Sequence, residues 1–215
     1  MPTYKVSRTF GWQGPISKKV RAVMRMFGLT VERLTTSKLC HECTVRINPG
    51  EIVYITGPSG AGKSVLLREL EKCVETSEKI SLTQIEPPDE KILIDCMEGD
   101  LLTGLKLLSA AGLGDVFCIL NKVASLSVGQ RYRFRLAMAL AAGKEFIFAD
   151  EFCSGLDRIT ASVISYNLRK FANRTGVTLV LAASEQDILP DLAPDVLVVK
   201  ELSGGTEVIY KQKTI

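Results

Sequence analysis

A glycine-rich segment that ends in lysine and serine is the part of this chain whose residue types most clearly allow chemistry. It runs Gly57, Pro58, Ser59, Gly60, Ala61, Gly62, Lys63 and Ser64. In this G-x-x-x-x-G-K-[ST] pattern, backbone N–H groups surround phosphates, the lysine reaches the terminal phosphates, and the serine hydroxyl reaches Mg²⁺. The segment therefore predicts a phosphate-binding loop for a nucleoside triphosphate.

The residues on either side of this loop favour the same interpretation. Residues 51–56 are β-branched and aromatic, as in a buried strand, and residues 65–74 carry apolar side chains at helical spacing. A strand, a glycine loop and a helix follow in that order. The order directs the positive N-terminal end of the helix dipole at the bound anion.

Two carboxylates follow a second predicted strand. Residues 143–151 read as a buried strand that ends in Asp150 and Glu151. Open α/β sheets place their ligand chemistry at such strand ends. We expect Asp150 to hold Mg²⁺ directly or through water, and Glu151 to polarise the attacking water. A solvated strand end without chemistry is the alternative.

Two further segments carry a family resemblance. Residues 126–133 read Leu-Ser-Val-Gly-Gln-Arg-Tyr-Arg, and residues 154–157 read Ser-Gly-Leu-Asp. With the two motifs above, they make the chain resemble the ABC-type ATPases over about residues 28–200. The first segment is similar to the signature of that family, with Val128 where glycine is usual. The second is similar to the D-loop, which ends at Asp157.

The resemblance implies a fold and an assembly. The fold is α/β, a P-loop NTPase of the ABC-ATPase type, with an ATP-binding domain at 28–215, a basic segment at 1–27 and a short helical subdomain at about 98–142. The assembly is a head-to-tail homodimer that closes on ATP and Mg²⁺. Each ATP would contact the phosphate loop of one copy and Ser127, Gly129, Gln130 and Asp157 of the other. A serine and backbone amides at a helix N-terminus suit such a second anion site.

The chain departs from the family at three positions. The switch histidine is missing, and Glu185 takes its place after the predicted strand 177–182. An ionised carboxylate repels a γ-phosphate, whereas a protonated one could donate, so Glu185 is either an inactivating change or part of a rearranged site. The family usually has a glutamine just after the strand that follows the first helix. That glutamine is hard to place here, because Gln84 precedes a strand expected at 91–95. Phe27 is the nearest upstream candidate for stacking on adenine. We therefore expect the chain to retain ATP binding and to hydrolyse ATP slowly.

Length and composition bound the class of protein. The chain has 215 residues and 46% hydrophobic content, which suits one α/β domain with a full core. We expect a soluble, cytoplasmic protein, because no 18-residue apolar stretch and no signal-peptide pattern occur. The six cysteines are scattered, which favours reduced thiols over a disulfide framework. The one C-x-x-C, at 40–43, favours ordinary thiols over a zinc site because a second ligand pair is lacking.

The N-terminal segment is basic. Residues 1–31 contain six cations and no acid: Lys5, Arg8, Lys18, Lys19, Arg21 and Arg25. A helix at 17–27 would place Val20, Val23, Met24 and Phe27 on one side and basic groups on the other. An ordinary solvated face is one interpretation. Nucleic acid, stacked on Phe10 and Trp12, an acidic partner and a membrane surface are the others.

Three functions follow from these features. The first is a non-transport ABC-type ATPase that acts as a clamp or switch on nucleic acid or a protein, favoured by the short helical region and the basic N-terminus. The second is the nucleotide-binding subunit of a transporter. The third is a nucleotide-binding regulator with little turnover. Residues 108–113, 130–136 and 150–153 also resemble a group of ABC-type ATPases fused to a predicted acetyltransferase domain, so an acetyltransferase-like partner is a further expectation.

Overall fold

Two β-sheets form the framework of the protein in a computed structural model that describes residues 2–36, 38–184 and 187–212. The smaller sheet pairs β1 (Thr3–Gly11) with β2 (Lys38–Arg46) in antiparallel register. The larger sheet has the order β4-β5-β6-β3-β7-β8. Its strands are β3 (Ile52–Thr56), β4 (Lys79–Ser81), β5 (Phe146–Ala149), β6 (Thr178–Ala182), β7 (Val196–Lys200) and β8 (Thr206–Tyr210). These pairs are parallel except the hairpin of β7 and β8.

The helices connect and cover these strands. They are α1 (Lys18–Met26), α2 (Val31–Thr36), α3 (Lys63–Lys72), α4 (Leu101–Ala110), α5 (Val116–Ile119), α6 (Val128–Ala141), α7 (Arg158–Thr175) and α8 (Leu189–Leu192). Short 3₁₀ turns occupy Leu82–Gln84, Ile94–Cys96 and Val123–Ser125. Among these described helices, none is long and apolar enough to cross a membrane.

Strand β3 lies at the centre and has hydrophobic packing on both faces. Ile52 and Tyr54 face a core formed with α4, α6 and α7, whereas Val53 and Ile55 face a second core formed with α3 and the small sheet. A parallel strand that is covered on both sides explains the continuous apolar run in its sequence. Burial on both faces holds the end of β3, and hence the loop after it, in a rigid position.

The expected strand at 91–95 is wrong. The strand that follows α3 is the short β4, and residues 94–96 instead form a 3₁₀ turn. Pro87 and Pro88 stand just before this stretch, and proline lacks the N–H that a sheet ladder needs. Gln84 consequently follows the strand after the first P-loop helix, which is the place the resemblance requires. Its amide donates to Glu71 (3.2 Å).

The apolar stretch 98–121 forms two helices rather than one continuous segment. Helix α4 ends at Ala110, and Gly112 then adopts a φ of +80° that ends the helix in a left-handed turn. The short α5 follows, with Asp115 capping its N-terminus. At the C-terminal edge, β7 and β8 form an antiparallel hairpin around residues 203–205.

The N-terminal region contains the expected helix and an additional strand. Ser17 caps α1 by accepting from the Val20 amide, and Met24 is buried, whereas Val23 and Phe27 are exposed. Strand β1 was not predicted, and its Val6 packs in the second core. Part of the basic segment 1–27 therefore packs with the second core, and α1 and α2 lie on the connection between β1 and β2.

Candidate functional site

The phosphate loop connects β3 to α3, as predicted. Gly57 has a φ of +141°, and a Cβ there would lie 2.2 Å from the Lys200 carbonyl oxygen. Gly62 has a φ of +89°, and a Cβ there would lie 2.3 Å from the His41 ring. Any side chain at either position would therefore collide with fixed atoms, and the backbone N–H groups stay free of obstruction. Glycine is required here by both conformation and space.

Lys63 is the cation of the loop. Its Nζ donates to the carbonyl oxygens of Gly57 (2.8 Å) and Pro58 (2.9 Å). The side chain is thus folded across the loop that would surround the phosphates. The ammonium group lies where it can transfer its hydrogen bonds to β- and γ-phosphate oxygens.

Ser64 and Asp150 come together from positions 86 residues apart. The Ser64 hydroxyl donates to Asp150 Oδ1 at 2.9 Å, at the carboxyl ends of β3 and β5. A hydroxyl and a carboxylate supply the hard oxygen ligands that suit Mg²⁺. The residues present therefore fit the magnesium ion that the sequence implies.

Glu151 lies beside this pair in an unusual backbone conformation. Its φ is +50°, and its amide donates to Asp150 Oδ1 (3.1 Å). Cys153 also has a positive φ, of +58°. Such residues cost about 1–3 kcal/mol each and concentrate at functional sites. The strained turn directs Glu151 into the same cleft as the phosphate loop.

One cleft of about 370 Å³ collects these groups. Its lining residues come from the phosphate loop, from the end of β5 and from the end of β6: Ser59, Gly60, Gly62, Lys63, Ser64, Val65, Asp150, Glu151, Ser154, Ala182, Ala183 and Ser184. Glu185 lies outside the described residues. Ser184, the last residue described before that gap, lines the cleft.

The signature lies at the N-terminus of α6. Ser127 accepts from the Gln130 amide and Gln130 Oε1 accepts from the Ser127 amide, which forms a capping box. Val128 is 90% exposed. Of the described residues that line the cleft, none comes from this segment. The signature therefore forms a separate, outward-facing helix end.

The D-loop joins the signature to the cleft. Leu156 packs against Gly129, and the Tyr132 hydroxyl accepts from the Cys153 amide (3.2 Å). Asp157 caps α7 by accepting from the Thr160 amide, and this hydrogen bond lowers the pKa of the Asp157 carboxyl. Its carboxylate is therefore used in a helix cap within this chain.

Sequence reasoning missed a buried polar cluster beneath the loop. His41 is 4% exposed, its Nδ1 has no hydrogen-bond partner among the described residues, and its ring touches Gly62. Burial and the nearby Lys200 lower the pKa of His41. Burial raises the pKa of the Cys43 thiol to about 11. The alternation of inward-facing residues along β2 was the available signal, although its buried face is set only by packing.

Phe10 lies on the side of His41, whose ring contacts the loop. The Phe10 ring centre lies 5.8 Å from that of His41, which itself contacts Gly62. Phe10 is 42% exposed, so one side remains open to solvent. Phe27 is 74% exposed, and in the described part of the chain its ring stacks on no other aromatic ring.

A strand, phosphate loop and helix, with a Ser–Asp pair beside them, define a P-loop nucleotide-binding protein. Comparison with known proteins is more specific. Residues 40–97 match the ABC transporter family. A solved ATP-binding cassette, MJ0796, bound as a dimer to ADP and Pi, superposes with a TM-score of 0.63 at 20% identity, covering 81% of this chain and 93% of that one. The chain thus has the α/β fold of ABC ATP-binding cassettes.

Curated relatives agree with this assignment. The chain is 29% identical over 199 residues to the methionine import ATP-binding protein MetN of Streptococcus agalactiae, with 74% of this chain and 55% of that protein covered. It is 31% identical over 193 residues to MetN of Corynebacterium diphtheriae, with 73% of this chain and 56% of that protein covered. The chain spans about half the length of these relatives.

Proposed function

We propose that this protein binds Mg·ATP in the cleft between the phosphate loop and the end of β5. The Ser64–Asp150 hydrogen bond of 2.9 Å carries this proposal, because it joins the two predicted magnesium ligands. Lys63 would contact the β- and γ-phosphates, and the loop amides from Gly57 to Gly62 would surround them. A bound Mg²⁺ would neutralise phosphate charge.

Phe10 is our candidate for the adenine-stacking residue, in place of Phe27. Its ring follows His41 outward from the phosphate loop and keeps an open face. An aromatic ring in this position offers a flat apolar surface to a base. Trp12 is also partly exposed, at 40%, two residues further along the chain.

ATP binding would bring two copies together head to tail. The signature of one chain, with Ser127, Gly129 and Gln130, lies outside that chain's own cleft. Its helix N-terminus is an anion site that suits the γ-phosphate held by a second copy. The dimeric cassette bound to ADP and Pi is similar in fold to this chain and supports the proposal.

Hydrolysis would be slow. Glu151 lines the cleft, where it would polarise water, and Glu185 would stand in place of the usual hydrogen-bond donor to the γ-phosphate. An ionised glutamate cannot donate a hydrogen bond. Both residues are therefore proposed to act in catalysis, Glu151 as the group that orients water and Glu185 as the residue that limits the rate.

The Glu151→Gln variant tests this proposal as a whole. Glutamine retains the size of the side chain and removes the carboxylate, so ATP should bind without being consumed. Light scattering with Mg·ATP should then show a stable dimer, whereas the same variant with ADP should remain largely monomeric. A monomer at every protein concentration with Mg·ATP would contradict the head-to-tail arrangement.

ATP-driven closure would act as a clamp or switch on a nucleic acid or a protein. The basic residues of α1 and of the strand before it support a polyanionic partner. An acetyltransferase-like protein is a further candidate on the sequence resemblance alone. We place this activity in the cytoplasm, where ATP is available.

A transporter subunit is the second candidate, since relatives are named as methionine import proteins. A groove of about 340 Å³ beside the helical segment also offers an apolar surface: Ile80, Ile85, Cys96, Met97, Glu98, Met138, Ala141 and Ala142. A membrane protein that co-purifies with the full chain after crosslinking would favour this function. A regulator with little turnover would instead show ATP binding without single-turnover hydrolysis.

A further inference from the structure

A second cleft lies between α4 and α7, apart from the residues that line the ATP cleft. It has a volume of about 400 Å³. The residues that line it are Lys106, Ser109, Ala110, Asn167, Lys170, Phe171 and Arg174. Asn167 donates to the Ala110 carbonyl oxygen (3.3 Å), which ties the two helices together at the floor of the cleft. The cleft is therefore built from two regular elements whose separation is fixed.

The cleft is strongly positive. Lys106, Lys170 and Arg174 line it, and no carboxylate does so among the described residues. Within the described ranges, none of the three cations forms an ion pair. The C-terminal ends of α4 and α7 also lie here, and each contributes about −0.5 of an elementary charge. Three full positive charges against two half charges leave a net positive site.

Two of these cations are held in place by aromatic rings. Lys170 Nζ lies 4.5 Å from the centre of the Tyr166 ring, and the Arg174 guanidinium lies 5.8 Å from the centre of the Phe171 ring. Cation–π contacts orient a charge without neutralising it. Residues 166, 170 and 174 are spaced four apart, which places them along one face of α7. The cations thus remain available to an anion.

We propose that this cleft binds phosphate groups, and that the backbone of a nucleic acid is the ligand on which the clamp closes. The inference rests on the proposed clamp function. Helix α7 begins at the D-loop, and Lys170 lies about 20 Å along it from Asp157 at a rise of 1.5 Å per residue. Helix α7 therefore connects the cleft between α4 and α7 with the D-loop, which would meet the second copy. A free phosphorylated molecule offers the same chemistry from another source.

Fluorescence anisotropy on the full chain tests the cleft, with Mg·ADP present to fill the phosphate loop. The labelled probes are single-stranded DNA, double-stranded DNA and RNA, and binding of tripolyphosphate is measured separately by calorimetric titration. The double variant Lys106→Glu/Lys170→Glu should weaken binding at least tenfold. It should also reduce the slope of log affinity against log salt by about 0.7 for each lysine on a single strand.

The matched control is Lys211→Glu, which reverses one exposed charge outside the cleft. It should change affinity less than twofold. Binding of polymer supports a nucleic-acid ligand, and binding of tripolyphosphate without polymer supports a free phosphorylated molecule. The inference is overturned if neither nucleic acid nor tripolyphosphate binds. It is also overturned if Lys211→Glu weakens nucleic-acid binding as much as the double variant does. Loss of binding only after charge reversal at Lys18, Lys19 and Arg21 would overturn it as well. ATP binding and dimerisation, measured separately, report on the proposed function itself.

Discussion

The phosphate loop and the signature differ in how many of their predicted ligand-binding groups converge on a cleft within one chain. At the phosphate loop, Lys63, Ser64 and Asp150 already converge on one cleft through hydrogen bonds within the chain. At the signature, Ser127 is engaged in its own capping box, and Val128 is 90% exposed. The first end needs only a ligand. In the proposed dimer, the second would contact a nucleotide held by another copy.

The connection between the two ends is strained. Glu151 and Cys153 both have positive φ values, and Cys153 is hydrogen-bonded to Tyr132 of the signature helix. A turn of this kind is rigid only while the surrounding contacts hold it. We infer that movement at one end is transmitted to the other through residues 151–157. Four predictions test the difference between the ends.

Lys63→Ala should have the largest effect and should act on the phosphate-loop end alone. Each charge-assisted hydrogen bond contributes about 1.5–3 kcal/mol, so the loss of two weakens ATP binding about 10³-fold. Calorimetric titration measures the affinity, and circular dichroism checks that the fold is retained. Equal ATP affinity in variant and parent would contradict the assignment of residues 57–64 as the phosphate-binding loop.

Glu185→His should raise the rate of hydrolysis. The histidine would supply a donor to the developing charge on the γ-phosphate, and one such donor is worth about 10²-fold in rate. Single-turnover hydrolysis measures the gain, with Glu185→Ala as the control that removes the carboxylate without adding a donor. Brisk turnover at neutral pH that neither substitution changes would place the switch at another residue.

Ser127→Arg should act on the signature end alone. The larger cation would obstruct the approach of a second copy, so the ATP-dependent dimer should weaken at least tenfold. The ATP affinity of the monomer should stay within about twofold, because Ser127 does not line the chain's own cleft. Light scattering and calorimetry on the same sample separate the two effects. Ser203→Arg, in the turn between β7 and β8, is the matched control and should leave both quantities unchanged.

His41→Gln should have the smallest effect and should change the pH dependence of stability. The folded pKa of His41 is lowered, so the unfolded state binds more protons once the pH falls below about 6.5, and folding is then disfavoured. The free energy of unfolding of the parent should thus decrease on acidification, and the slope should be shallower in His41→Gln. Urea unfolding between about pH 5 and 7 measures both slopes. If the free energy of unfolding depends on pH equally in parent and variant, the lowered pKa of His41 does not contribute to the pH dependence of stability.

The sequence predicted those parts of the site whose chemistry depends on neighbouring residues. The phosphate loop, the helix after it and the signature capping box are all local, because glycines, a lysine and a serine at fixed spacing set the backbone and its ligands together. Asp150 and Glu151 were predicted as a pair at a strand end, and the structure brings Asp150 to Ser64.

Long-range pairing accounts for what was not predicted. Strand β1 forms only because β2, on the far side of α1 and α2, supplies its partner. The strand after α3 was expected at 91–95, yet the three-residue β4 takes that place because β5 lies beside it. So short a strand carries little signal of its own.

Residue types and spacing alone thus predicted a phosphate-binding P-loop and a second helix end that resembles an ABC signature. Tertiary structure alone decided that His41 lies beneath Gly62, that the Lys200 carbonyl oxygen excludes a side chain at Gly57, and that Lys106 meets Lys170 across a cleft. The physical reason is that a motif is a property of adjacent residues. Burial and the convergence of charges depend instead on which elements pack together, and the hydrophobic effect that drives this packing is non-directional.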